Sequence, residues 1–379
     1  AYEIASWLVG SEMCIRDSFM TKATAFVATL FIICSLSLTI LSRGDAPENN
    51  SVLDKIEENT DDTTTIALPE NYVFERNAES TVSYSGQTTR LNQSNELYSA
   101  LNDNVASLAD LNLMFQGDDN GSGGFSDETL NGTSKIIGSK TSASTLRGDA
   151  LTKAQFVQWL TDYTTDIIPN WVSDASEGNA GQYGNYHFTA NGHEIDQLSF
   201  KGLIGAFCLD QIVNNYIHPN QLDSGTRTED NTIELLSGDN NYTDMEHKWD
   251  EGFGYLYGQI ADVTLNNGLP ADGESSGNLL MKYFKKVEEN YDPGIAKRVY
   301  DAFIAGRSAI VSKDYLEREV QAKIIKQELS KAVGQYAVHY LSGAYENYNG
   351  GADDIRAVSY THLRAHETRG NLVCRLLLE

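Results

Sequence analysis

The stretch "NGHEIDQLSFKGLIGAFCLDQIVNNYIHP" (residues 191–219) decides the fold. Its apolar residues recur at three- and four-residue spacing, which is typical of one face of a helix. That face is formed by Ile195, Leu198, Gly202, Leu209, Ile212 and Tyr216, and it is widened by Leu203, Phe207 and Val213. A face this wide exceeds what a surface helix needs. The pattern therefore predicts a central helix over residues 195–216, ended by Pro219.

Helical patterns continue on both sides of this stretch. The tetrapeptides "TKAQ" at Thr152 and "TDME" at Thr243 have the form of a capping box, and the second precedes an apolar run over residues 245–260. Residues 279–345 indicate two or three more helices, with breaks near residues 290–293 and near Ser312. Strand-type alternation is scarce after residue 90. We predict an all-α fold, a multi-helix up-and-down bundle with long irregular loops.

The longest of these loops covers residues 117–144 and is rich in Gly, Ser and Asn. It contains "GSKT" (residues 138–141), but the glycine spacing differs from that of the loop that binds nucleotide phosphates. Its "DDNG" segment lacks the twelve-residue pattern of a calcium loop. We therefore expect plain turns here.

The two ends of the chain read as foreign. The peptides "LVGSEMCIRD" (residues 8–17) and "VSYTHLRAHET" (residues 358–368) can be encoded by opposite strands of one DNA segment, which resembles a sequencing-library adapter. Chance rarely produces such complementarity over so many codons. We interpret residues 1–19 and 358–379 as adapter-derived tails and exclude them from the fold prediction.

Residues 20–41 have the form of an export signal or a membrane anchor, because Lys22 precedes an uncharged apolar run. Cys34 within this run is a candidate for lipidation, although Ile33 stands where a lipobox has a small residue. The polar, acidic residues 42–69 predict a flexible tether in front of a helical domain over residues 70–357. We expect an exported protein, periplasmic or attached to the outer membrane, that meets a membrane only through its N-terminal segment.

Charge restricts the classes of partner. The chain carries 53 Asp and Glu against 28 Lys and Arg, a formal net charge of −25. A nucleic-acid-binding surface needs clustered Lys and Arg, so we expect no nucleic acid partner. The balance is compatible with a cationic or metal-bearing ligand.

Polar residues on the central helix form the first candidate site. Asp196–Gln197 recurs as Asp210–Gln211 fourteen residues later, which would place both pairs on one helical face. They either hydrogen-bond to neighbouring loops or form a polar or metal-binding seam, together with His193 just before the helix.

The second candidate site lies in "DMEHKWDEGFGYLYG" (residues 244–258). Glu246 and Asp250 are four residues apart on one helical face, and His247 and Glu251 are four apart on another. Glu246, His247 and Asp250 form a plausible partial ligand set for zinc or iron. The alternative is a buried network of ion pairs and hydrogen bonds with aromatic packing. The glycines of this stretch weaken a helix, which indicates a packing or site requirement.

Three stretches, residues 72–91, 192–216 and 244–258, together resemble a bacterial family of unknown function, family 4856, which is common among exported proteins of Bacteroidota. The resemblance covers about residues 70 to 350 and extends, more distantly, to the imelysin-like proteins. Those are exported double helical bundles that are often linked to iron, and one has been described as a metallopeptidase. Their motif G-x-H-x-x-E is altered here in two ways. Gly192 directly precedes His193, and Asp196 stands where the motif has Glu. The resemblance implies a metal role for His193 and Asp196.

These observations lead to one main functional hypothesis and two alternatives. The main hypothesis is an exported, non-enzymatic binding protein of the cell envelope that takes part in acquiring iron or another metal-bearing ligand, or binds another envelope protein. The first alternative is a metal-dependent hydrolase or peptidase with Glu251 as general base. The second is a purely structural surface module.

Overall fold

The computed structural model describes residues 68–143, 150–261, 265–271, 274–275 and 277–349, all within one unit that begins at Ala67. Both predicted adapter tails, the predicted signal or anchor and residues 42–67 of the predicted tether lie outside the described residues. The fold therefore concerns the predicted helical domain.

Helices dominate the described chain, and the prediction of an all-α fold with long loops is confirmed. In chain order they are α1 Ser85–Ala100, α2 Leu108–Gln116, α3 Ala150–Asp162, α4 Ile195–Leu203, α5 Pro219–Leu222, α6 Arg227–Thr232, α7 Asp244–Tyr257, α8 Leu279–Asn290, α9 Ile295–Ser312 and α10 Tyr315–Asn349. The described chain also contains two antiparallel hairpins: β1 Glu75–Arg76 with β2 Glu79–Ser80, and β3 Gly181–Tyr183 with β4 Tyr186–Phe188. None of the described helices is both long enough and apolar enough to cross a membrane.

The central helix is longer than α4 alone. It continues from α4 through two π-helical stretches, Ile204–Leu209 and Ile212–Tyr216, as the sequence predicted for residues 195–216. Nearly every side chain along it is buried, including Phe207 and Leu209 at 0% exposure. Pro219 ends it and also occupies the first turn of α5, where a missing backbone N–H is tolerated.

The π-helical stretches change the expected alignment of the two Asp–Gln pairs. They widen the helical turn, so a spacing of fourteen residues no longer returns to the same face. Gln197 donates a hydrogen bond to the Tyr98 hydroxyl, whereas Gln211 donates to the Lys140 carbonyl oxygen. The two pairs therefore serve different neighbours.

Glycines permit the close approach of α7 to its neighbours. Gly306 of α9 faces Trp249 of α7, and a Cβ atom there would lie 2.1 Å from the indole Cζ2 atom. Gly254 of α7 faces Tyr84, and an added Cβ atom would lie 2.5 Å from the Tyr84 Cβ atom. Packing is therefore the reason for glycine at both positions, at the expense of helix propensity.

Helix boundaries follow the sequence patterns unevenly. The predicted breaks near residues 290–293 and near Ser312 are confirmed, since they separate α8 from α9 and α9 from α10. The capping box predicted at Thr152 is wrong, because Thr152 lies inside α3, which already includes Ala150. A capping-box tetrapeptide can also occur inside a helix, so this pattern by itself does not fix the residue at which the helix begins.

Leu203→Ala is expected to lower the free energy of unfolding by about 2–5 kcal/mol, because it removes contacts of a side chain that is 1% exposed and leaves a cavity. Leu316→Ala makes the same chemical change at a position that is 78% exposed and should change stability by less than about 0.5 kcal/mol. Urea unfolding followed by circular dichroism measures both. Similar losses for the two variants would contradict the central position of this helix.

Candidate functional site

The predicted capping box at Thr243 is present, and it gives Glu246, one of the candidate metal ligands, a structural role. The Thr243 hydroxyl accepts a hydrogen bond from the Glu246 backbone N–H, and Glu246 Oε2 accepts one from the Thr243 backbone N–H at 2.7 Å. This reciprocal pair begins α7. Glu246 is 1% exposed, so its carboxylate enters the protein interior as part of the helix start.

A buried arginine, Arg307 of α9, binds both acids of the predicted metal patch. Its Nη1 atom donates to Glu246 Oε1 and its Nε atom to Asp250 Oδ1, each at 3.1 Å, while Nη2 donates to the Thr81 hydroxyl at 2.9 Å. Arg307 is 0% exposed. Arg76 adds a second guanidinium against Glu246, at 3.1 Å. We call this group, Arg307, Glu246, Asp250 and Arg76, the arginine–acid network.

Further donors complete the network around Asp250. The Tyr72 hydroxyl donates to Oδ1 at 2.7 Å, and the Ser83 backbone N–H donates to Oδ2 at 3.2 Å. Every carboxylate oxygen of Glu246 and Asp250 thus has a protein donor. A metal ion would compete with two positive guanidinium groups for these oxygens, so the donor set fits an ion-pair network and does not fit a metal centre.

The pKa values of the two acids reflect this arrangement. Burial raises the pKa of Asp250 to about 6, against the opposing effect of Arg307. Burial also acts on Glu246, but Arg307 and Arg76 outweigh it and hold the pKa of that carboxyl below its ordinary value. Both arginines are therefore needed to keep charged acids in the interior.

His247 points to different partners. Its Nδ1 atom lies 3.0 Å from the Ser83 carbonyl oxygen, its Nε2 atom lies 4.0 Å from Glu251 Oε2, and its ring stacks on Tyr242. Burial lowers the pKa of the imidazole. His247 therefore anchors the segment before α1 to α7.

The remaining candidates, His193 and Asp196, lie elsewhere, at the start of the central helix. The His193 backbone exchanges hydrogen bonds with Thr189, which ties the end of the β3–β4 hairpin region to the helix. Asp196 Oδ2 accepts a hydrogen bond from Gln197 at 2.8 Å. No described contact joins these residues to the arginine–acid network. Among the described residues, no group of three or more His, Cys, Asp or Glu side chains is arranged to hold a metal ion.

A cavity of about 140 Å³ opens at this end of the central helix, and we call it the acidic cavity. Among the described residues, its lining contains two carboxylates, several aromatic rings and neither Lys nor Arg, although Lys201 lies near enough to act on both acids. The lining includes Tyr98, Tyr163, Tyr186, His187, Glu194 and Asp196. His187 stacks on Trp171 at a centroid distance of 3.6 Å, which fixes the β4 side of the cavity.

Glu194 is the residue of this cavity that the sequence analysis missed. It is 2% exposed and precedes the first turn of α4. Burial raises its pKa to about 8, and the neighbouring Asp196 charge adds to the effect. Burial likewise raises the pKa of Asp196. The sequence did contain a signal for this site: Glu194 and Asp196 flank Ile195 at the start of an apolar helix. Acids next to such an apolar run are expected at the edge of the core.

Arg307→Met is expected to lower the free energy of unfolding by about 3–5 kcal/mol, because it leaves two buried carboxylates without their main partner. Arg298→Met is the matched control on the same helix. Arg298 is 42% exposed and pairs with Asp292 and Glu328, so its loss should change stability by about 1 kcal/mol or less. Urea unfolding of both variants at neutral pH makes the comparison. Equal losses would contradict the structural role of the network.

Glu194→Gln is expected to remove a pH-dependent loss of stability. The folded-state pKa of Glu194, about 8, exceeds the ordinary value of 4.5, so between these values the folded protein binds more protons than the unfolded chain. Wild-type stability therefore falls as pH rises through this window, by about 1.4 kcal/mol per pH unit from this group. A urea-midpoint series over that range should give a flatter profile for Glu194→Gln and an unchanged one for Glu177→Gln, an exposed acid.

Comparison with known proteins identifies the family of this chain. A profile described as Domain of unknown function (DUF4856) matches residues 69–361, and a second, Preprotein translocase SecG subunit, matches residues 8–59, outside the described residues. No curated protein and no solved structure matches the chain. The first match includes the arginine–acid network and the acidic cavity and covers more than half of the sequence. The chain therefore belongs to the DUF4856 family, as its three motifs predicted.

Proposed function

We propose that this chain is a non-enzymatic binding protein of the cell envelope that holds a cationic or metal-bearing ligand in the acidic cavity. One observation carries the proposal: a cavity lined by Glu194 and Asp196 together with aromatic rings, with neither Lys nor Arg among its described lining residues. Concave sites in which a few polar groups converge are the usual form of small-ligand sites, and this cavity combines two carboxylates with ring faces.

The chemistry of the walls favours a cation. Ring faces attract positive charge, and the Tyr98, Tyr163 and Tyr186 rings border the cavity. Two carboxylates can offset the desolvation of a bound cation. Burial and the Asp196 charge raise the pKa of Glu194 to about 8, although Lys201 acts in the opposite direction, and an arriving cation lowers this pKa by supplying further positive charge. Binding is then accompanied by proton release.

The volume limits what can enter. About 140 Å³ is close to the size of an engineered cavity that holds one benzene molecule, about 150 Å³. The cavity therefore suits one compact group, such as an ammonium head or a small metal complex. A bare iron or zinc ion finds no set of three ligands among the described residues, so we favour a cation that carries its own ligands.

The other hypotheses receive less support. A hydrolase that uses Glu246, His247 and Asp250 as metal ligands conflicts with the arginines already bound to both acids. Export, lipidation of Cys34 and the relationship to imelysin-like proteins stay predictions, because the first two rest on residues outside the described chain and no comparison bears on the third. A purely structural module is the outcome to expect if the cavity binds nothing.

Calorimetric titration with two probes, tetramethylammonium and hexaamminecobalt(III), tests the proposal. The first is an organic cation and the second is a metal complex that keeps its own ligands. We expect saturable binding that tightens as pH rises toward about 8, because deprotonated Glu194 is the binding form. Glu194→Gln and Asp196→Asn should each weaken binding by roughly tenfold or more. Glu177→Gln makes the same chemical change at an exposed acid and should bind as the wild type does.

Three outcomes would count against the proposal in different ways. Absence of binding by either probe at any pH would favour the structural module. Binding that Glu194→Gln leaves unchanged would place the cation site elsewhere. Stoichiometric uptake of added iron or zinc, measured by elemental analysis of protein purified without chelators, would restore a metal site of a kind that the described residues do not form.

A further inference from the structure

Four cationic side chains act on one another near the C-terminal end of the central helix, in a chain whose net charge is −25. They come from three segments: Arg90 from α1, Lys135 and Lys140 from the loop before α3, and Lys248 from α7. We call these four residues the basic cluster. Such a concentration of positive charge is unexpected in so acidic a protein, and neither the fold nor the proposed function accounts for it.

Two of the ammonium groups share one aromatic ring. The Lys140 Nζ atom lies 5.3 Å from the centroid of the Tyr216 ring, and the Lys248 Nζ atom lies 5.8 Å from the same centroid. Cation–π attraction over this distance stabilises each ammonium modestly. It also holds two like charges near each other, and the Glu251 carboxylate beside Lys248 offsets part of their repulsion.

The other two cations meet at Gly86 of α1. A Cβ atom added at Gly86 would lie 3.0 Å from Lys135 Cε and 3.4 Å from Lys135 Nζ. Arg90 Nη1 lies 3.4 Å from the Gly86 carbonyl oxygen, one helical turn away. The missing side chain at Gly86 thus brings Lys135 against the helix that carries Arg90.

Glu251 balances part of the positive charge of the basic cluster through its ion pair with Lys248. Burial lowers the pKa of Lys140, and Arg90, Lys248 and Lys135 lower it further. Glu251 is the single carboxylate among the groups that act on Lys140, and it already accepts hydrogen bonds from Lys248 at 2.6 Å and from Gln87 at 3.0 Å.

Unused donors point in the same direction. Arg90 is 6% exposed, yet its Nε atom has no hydrogen-bond partner among the described residues. Neither Lys135 nor Lys140 forms an ion pair within the described chain. The buried Tyr255 hydroxyl, whose pKa is raised by burial and Tyr216 and lowered by Arg90, also lacks a partner there. Buried donors without partners are costly and are normally satisfied in a native structure.

We propose that the basic cluster binds a small oxyanion, such as phosphate, sulfate or a carboxylate. Arginine binds the paired oxygens of such anions through its planar fork, and lysine ammonium groups supply the point charges beside it. An anion at this position accepts hydrogen bonds from Arg90 and Lys140 and separates the charges around Tyr216. Glu251 offsets part of the positive charge of the cluster through its contact with Lys248.

The site differs from a nucleotide-binding loop, although Lys140 belongs to the "GSKT" segment. A phosphate loop binds through successive backbone N–H groups at a helix start, whereas this cluster consists of side chains from α1, α7 and an irregular loop. It shares no residue with the lining of the acidic cavity. The two proposals therefore stand or fall separately.

Titration with inorganic phosphate, sulfate and citrate, at constant ionic strength maintained with sodium chloride, tests the proposal. Calorimetry measures affinity, and the rise in melting temperature with anion concentration reports the same equilibrium. We expect saturable binding of at least one oxyanion, and Lys140→Met should weaken it by roughly tenfold. Arg90→Lys keeps the charge and removes the planar fork, so it should also weaken binding while the protein stays folded. Comparison of phosphate with citrate identifies the class of oxyanion.

Two further variants make the test specific. Lys282→Met removes an exposed lysine outside the cluster and should leave binding unchanged. Glu251→Gln removes the one carboxylate of the cluster and should tighten binding. The proposal is overturned if no oxyanion stabilises the wild type more than chloride does. It is also overturned if Lys140→Met binds as tightly as the control Lys282→Met and the wild type.

Discussion

The contact of one buried guanidinium with two buried carboxylates is the interaction on which the rest of the structure depends. Arg307 of α9 lies fully inside the protein and holds Glu246 and Asp250 of α7 at 3.1 Å each. Charges in the interior are tolerated only when paired and fully hydrogen-bonded. This requirement sets the position of α7 against α9, and it draws in the N-terminal segment through Arg76, Thr81 and Tyr72. Around it, Gly306 lets Trp249 approach, and the indole donates to the Phe303 carbonyl oxygen.

The two proposed sites lie at opposite ends of the central helix, with acidic side chains at one end and basic side chains at the other. Glu194 and Asp196 stand at its N-terminal end, where the positive end of the helix dipole favours negative groups. Lys140 and Lys248 of the basic cluster lie against Tyr216 near its C-terminal end, where the dipole favours cations. Between them, almost every side chain of the helix is buried, including polar ones such as Lys201 and Asp210. The buried helix thus separates the two proposed sites.

The metal hypothesis shows how one sequence pattern can serve two structures. Acidic and imidazole groups at helical spacing are the pattern of a ligand set, and Glu246, His247 and Asp250 have that spacing. The pattern contains no information about Arg307, which is 61 residues from Glu246. Once that arginine is in contact, the same carboxylates serve as ion-pair partners instead. His247, on another side of α7, turns to the Ser83 carbonyl oxygen.

The sequence by itself determined the elements whose signals are local. The apolar period predicted the central helix over residues 195–216, "TDME" predicted the start of α7, and Pro293 and Ser312 lie near the breaks between the last three helices. Three joint motifs were enough to predict the family. Only the tertiary structure decided which distant groups meet: Arg307 with Asp250, Lys140 with Lys248 around Tyr216, and Glu194 with the Tyr98 and Tyr186 rings. Helix formation depends on neighbours three and four residues away, whereas burial, pKa shifts and binding sites depend on contacts between segments that are far apart in the chain.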